Sequence, residues 1–186
     1  MRNRFFGKYR GEVEDVDDPE ERGRLRARVP RALDGELSGW ALPCVPFAGD
    51  GAGFFAVPTP GTDVWIEFEE GDPSRPIWSG CWWREGQAPA KAGELVLRDV
   101  HGNSFAMNSD GIAVEDASGN RIVLSSDGVE ITPSADIVVS AGGDVTIEGA
   151  NVSATARAQA KIEGSAGAEI SSSAQTVVSG AIVRIN

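Results

Sequence analysis

Asp63-Val64-Trp65-Ile66-Glu67-Phe68-Glu69 puts Val64, Ile66 and Phe68 on one side of an extended backbone and Glu67 and Glu69 on the other. A period of two marks a strand with one buried face. Upstream, Arg24-Leu25-Arg26-Ala27-Arg28-Val29 repeats the pattern, with Leu25, Ala27 and Val29 opposite three arginines. Residues 11–16, 40–47, 53–57 and 77–83 supply further short candidates. Asp18-Pro19, Gly49-Asp50-Gly51, Pro58-Thr59-Pro60-Gly61 and Gly71-Asp72-Pro73 punctuate them. No window holds a helical period for more than a turn or two. Five or so short strands over residues 8–85 predict an all-β fold that begins with a small, OB-type five-stranded barrel, since closure removes exposed strand edges.

The texture changes after the small-residue stretch Gly86-Gln87-Ala88-Pro89-Ala90-Lys91-Ala92-Gly93. All five Trp, the single Tyr and six of the seven Phe precede Pro89; only Phe105 follows it. Two architectures are therefore joined in one chain: a barrel domain over 1–85, a linker over 86–93 and a repetitive region over 94–186. In the last region apolar residues recur two apart, as in Leu95/Leu97, Phe105/Met107, Ile112/Val114, Ile122/Leu124, Val129/Ile131, Ile137/Val139 and Val145/Ile147. Further on, Val139, Ile147, Ala154, Ile162, Ile170 and Val178 are spaced by 8, 7, 8, 8 and 8 residues. Residues 155–174 are almost all Ala, Ser, Gly, Gln and single charges, too little apolar surface for one chain to offset backbone ordering of about 1–2 kcal/mol per residue. The maintained octad suits a strand solenoid whose core is shared between chains. An intertwined trimeric β-helix is the expectation for 94–186, with Val139, Ile147, Ile162, Ile170 and Val178 as its trimer core.

The first half resembles the N-terminal OB domain of phage baseplate spike and VgrG-type proteins, including baseplate assembly protein V. The residues that carry the resemblance are Asp18-Pro19 leading into Gly23–Pro30, then Trp40-Ala41-Leu42-Pro43, then Pro60–Glu69 and Gly71–Gly80. Each piece alone is weak; their order and spacing together are specific. The resemblance implies a homotrimer whose barrels sit on a baseplate hub protein. Its C-terminal halves would form a membrane-piercing needle that touches the target membrane transiently and carries a PAAR-type tip protein or effector. By the same resemblance, Ile182, Val183, Ile185 and Asn186 are the candidate tip-protein interface. Some members insert a lysozyme domain between barrel and needle. Here the chain runs directly from Trp83 to Leu95, so a vestigial cell-wall hydrolase spike is only an alternative. Others bind an apical metal through clustered histidines, whereas His101 is the single histidine. No enzyme activity, cofactor or metal is carried over.

The formal net charge is -11, with 11 basic and 16 acidic residues up to position 90. Neither half offers the basic face that phosphate binding requires. That argues against the rival reading, an oligonucleotide-binding OB protein with a repetitive tail. Arg24, Arg26 and Arg28 are instead expected to meet carboxylates in the trimer or hub. Glu67, Glu69, Glu70 and Asp72 read as a solvated face, and His101 as a turn residue. Cys44 and Cys81, each in an apolar aromatic stretch, read as buried free thiols. No secretory h-region or long apolar run is present. The expectation is assembly in the bacterial cytoplasm without a signal peptide, as a component of a phage tail or injection particle.

Overall fold

The computed structural model describes residues 4–184. The chain divides into a first unit that runs to Asp136 and a second that begins at Ile137.

The first unit opens with β1 (Tyr9–Asp15), β2 (Arg26–Arg28), a one-turn helix α1 (Pro30–Leu33), β3 (Leu42–Pro43), a small hairpin of β4 (Ala48–Gly49) and β5 (Ala52–Gly53), β6 (Asp63–Phe68) and β7 (Pro76–Cys81). One five-stranded sheet runs in the order β2-β1-β6-β7-β3. Its pairs are antiparallel except β3 with β7. An antiparallel bridge between Leu25 and Ala41 joins its two outer margins, so the sheet curls on itself. Irregular register between Val13 and Asp15, and between Val64 and Ile66, marks where the strands bend; bulges increase local twist and permit tight curvature.

The alternation in the sequence determines which side chains enter the core. Val13, Leu25, Ala27, Val29, Ala41, Val64, Ile66, Phe68 and Trp78 are all buried. The Trp78 indole N–H donates to the Gly23 carbonyl at 3.1 Å, satisfying the one polar atom this large side chain carries inside. Gly11 lies where β1 passes close beneath its neighbours: a Cβ there would stand 3.1 Å from Ile66 Cγ1 and 3.2 Å from the Arg28 carbonyl oxygen. Residues 54–57, expected as a strand, instead form irregular chain with Phe54 and Phe55 exposed. The strand forms at Ala52–Gly53, because the hairpin turns at Asp50-Gly51 and pairs only two residues on each side.

A second five-stranded sheet follows in the same unit, a meander in the order β12-β11-β10-β9-β8. Its strands are β8 (Leu95–Arg98), β9 (Ser104–Asn108), β10 (Gly111–Glu115), β11 (Arg121–Ser125) and β12 (Gly128–Thr132). Residues 95–132, the first part of the region expected as needle, thus pair strand to strand within one chain. Among the described residues of the second unit, 137–184, no helix or strand is assigned and the side chains are exposed.

Candidate assembly face

The meander's register collects its apolar side chains on one face. Leu97, Phe105, Val114, Ile122 and Ile131 stand opposite one another in one row across the five strands; Leu95, Met107, Ile112, Leu124 and Val129 form a second row two residues away. Side chains two apart share a face, so all ten belong to a single surface. The other face carries Arg98, Ser104, Glu115, Arg121 and Thr132 beside the smaller Val96, Ala106, Ala113 and Val123. Eight of the ten face residues count as exposed, up to 69% at Val129. A contiguous apolar surface on the order of several hundred Å² marks an interaction site on a folded protein.

The barrel end of this face is flanked by aromatics from the first sheet's loops. Phe54, Phe55 and Trp83 line a cleft of about 1210 Å³ together with Leu97, Phe105 and Ile122.

The octad residues Val139, Ile147, Ile162, Ile170 and Val178 are all exposed, as are Ile182 and Val183. Ile185 and Asn186 lie outside the described residues. In a single chain none of the described members is buried.

The other singled-out residues have local roles. Asp18 is the organising group of the Asp18-Pro19 turn. Its carboxylate accepts backbone N–H groups from Glu20, Arg22 and Arg24 and a two-pronged contact from the Arg24 guanidinium, at 2.9 and 2.6 Å. That guanidinium, together with the backbone donors and against partial desolvation, holds the Asp18 carboxyl far below the usual carboxylate range. Arg24 also lies over the Trp40 ring at 5.6 Å. Arg28 pairs with Glu14 at 2.8 Å, and Arg26 donates to the Ser38 carbonyl at 3.0 Å. The carboxylates expected from a trimer or hub are therefore supplied within the chain for Arg24 and Arg28. Glu67 and Glu69 pair with Lys8 and Arg75. His101 is a turn residue whose backbone N–H donates to Asp99.

Cys44 and Cys81 are free, but the burial expected for both is absent: each is exposed. Their aromatic surroundings misled, because only Trp78 of the Trp78–Trp83 stretch turns fully into the core, and Cys81 emerges at the end of β7. Partial desolvation still raises the Cys81 thiol above its ordinary value.

The feature that sequence reasoning missed is the single-sided face. Its apolar pairs were visible; their alignment needed the hairpin lengths. A 17-residue recurrence, Asp99-x-x-Gly102-Asn103 repeated as Asp116-x-x-Gly119-Asn120, carried that signal.

No curated protein matches the sequence. Residues 9–83, the stretch from β1 to just past β7, match the family model of the type VI secretion system/phage-baseplate injector OB domain, and the curled five-stranded sheet is thus similar to a structural spike-related domain of those machines.

Proposed function

We propose that this chain is a structural central-spike subunit of a contractile injection system or phage tail, working as a homotrimer without enzyme activity. The observation that carries the reading is the ten-residue apolar face of the meander, attached to a barrel that matches an injector OB domain. A five-stranded sheet with one bare apolar face must cover it. Three copies arranged about an axis cover three such faces at once and leave the charged faces in water.

On this reading the barrel over 1–85 docks on a baseplate hub protein, 86–93 links, and 94–186 forms the needle. Beyond residue 136, Val139, Ile147, Ile162, Ile170 and Val178 are its shared core, wound as a trimeric β-helix. Neighbouring copies supply the hydrogen bonds and apolar contacts that one chain lacks. Ile182, Val183, Ile185 and Asn186 present the end to a PAAR-type tip protein or effector. The needle would touch a target membrane only during injection. The particle would be assembled in the cytoplasm. The pairing of Arg24 and Arg28 with in-chain carboxylates speaks against an oligonucleotide groove on that strand.

Light scattering on the full chain, beside a chain ending at Gly93, tests this. Three copies for the full chain and one for the shortened chain are expected. A monodisperse full-length monomer would overturn both the needle and the spike role.

A further inference from the structure

Leu97–Ala113 and Val114–Glu130 are two copies of one 17-residue unit. Asp99/Asp116, Gly102/Gly119, Asn103/Asn120, Asp110/Asp127 and Gly111/Gly128 occupy equal places. Each unit contains a Asp-x-x-Gly-Asn loop followed by a strand, a tight Ser-Asp-Gly turn and the start of a return strand. The tight turns join β9 to β10 and β11 to β12; such short connections fix hairpin register at their own end.

The open end of each hairpin is closed by an asparagine. Asn103 immediately precedes β9, and its Oδ1 accepts the backbone N–H of Ala117, just past β10, at 3.2 Å. Asn120 immediately precedes β11, and its Oδ1 accepts the N–H and hydroxyl of Ser134, just past β12, at 2.8 and 3.0 Å. Each asparagine is itself held: Nδ2 of Asn103 donates to Asp99 at 2.6 Å, and Nδ2 of Asn120 to Asp116 at 2.7 Å. The same aspartates accept the backbone N–H groups of their own loops.

Backbone pairing alone is indifferent to a slip of two residues, and so is this hydrophobic pattern, because a two-residue shift returns similar aliphatic side chains to the same face. The asparagine contact is not indifferent. The receiving amide lies 14 residues on in both units, across one whole hairpin, so it meets Oδ1 in one register only. We infer that Asn103 and Asn120 are register clamps, each locking its own hairpin at the end opposite the tight turn. The apolar face is then set inside one chain before any partner arrives. A third unit opens at Ile131 but has Pro133 where the aspartate would stand and Ile137 where the asparagine would stand. Ser134 receives the last clamp, and the series ends there.

The test is residue-resolved amide hydrogen exchange on the full chain carrying Asn103→Ala or Asn120→Ala, with Glu85→Ala, an exposed position outside both hairpins, as a surface control. Asn103→Ala is expected to speed exchange at Ala117 and across β9–β10 by roughly tenfold, the size of one lost hydrogen bond, while β11–β12 changes less. Asn120→Ala should do the reverse, acting at Ser134 and β11–β12. Protection in β1 and β6 should hold in both, which reports that the barrel has folded. Unchanged exchange in a variant's own hairpin, or equal loosening of both hairpins by either variant, would overturn the assignment. The readout compares hairpins within one chain, so a monomeric wild type would end the spike reading while leaving this test standing.

Discussion

Asp18 shows how much one side chain can organise. It closes its own turn with three backbone N–H groups and pins Arg24 against Trp40, which places Leu25 at the margin where the sheet meets Ala41. Its carboxyl is depressed in the folded state, chiefly by Arg24. Its stabilising contribution is therefore present above the ordinary carboxylate value and is lost as pH falls through the lower, folded value. Asp18→Asn is expected to lower the melting temperature at neutral pH, with the gap from wild type closing in strongly acidic solution. Melting curves across a pH series will check this, and a constant gap would contradict it. Ile66 is fully buried between β1 and β7, and Ile66→Ala should cost about 2–5 kcal/mol in urea unfolding of the barrel. Gly11→Val should also destabilise it, since overpacking a tight site costs about 1–3 kcal/mol; a neutral result would mean that β1 can move away from Ile66.

At the scale of elements, legibility tracked how local the determining physics was. Val64, Ile66 and Phe68, and Leu25, Ala27 and Val29, announced their buried faces by alternation, and all six are buried. The five strands between Leu95 and Thr132 were likewise visible as apolar pairs. What alternation could not reveal was partner choice. The same pairs serve a solenoid shared between chains or a meander within one, and the decision rests on the tight turns at Ser109-Asp110-Gly111 and Ser126-Asp127-Gly128. Gly111 is decisive there: its φ is 133° and a side chain would run into the Leu124 carbonyl. Phe54-Phe55 and the cysteines misread for a related reason, because apolar composition does not specify which surface a loop residue meets. Leu124→Glu, on the apolar face, should reduce the assembled mass to that of a single chain, whereas Arg98→Glu on the opposite face should leave it unchanged. Sedimentation velocity of the two variants side by side will separate these outcomes; equal behaviour would show that the face is not an interface.

For the whole molecule, the contrast between units is the main physical fact. The first unit has a buried apolar core and two five-stranded sheets beside the small β4–β5 hairpin; the described part of the second has no strand and no buried side chain. A double substitution Ile162→Asp/Ile170→Asp is expected to leave the melting of the barrel unchanged while lowering the temperature at which the assembly dissociates. Differential scanning calorimetry would resolve the two transitions, and a single unchanged trace would argue that the octad residues carry no core.

The bare face of the meander also has a genetic consequence. A subunit that folds correctly but carries a charge at Leu124 keeps its barrel and yet drops out of the trimer, because the barrel alone does not hold copies together. When half the pool is altered, trimers are drawn from the unaltered half alone, so about half the usual number form and each of them is sound. Such an allele, co-expressed with the natural one, would lower the number of machines without poisoning those that assemble.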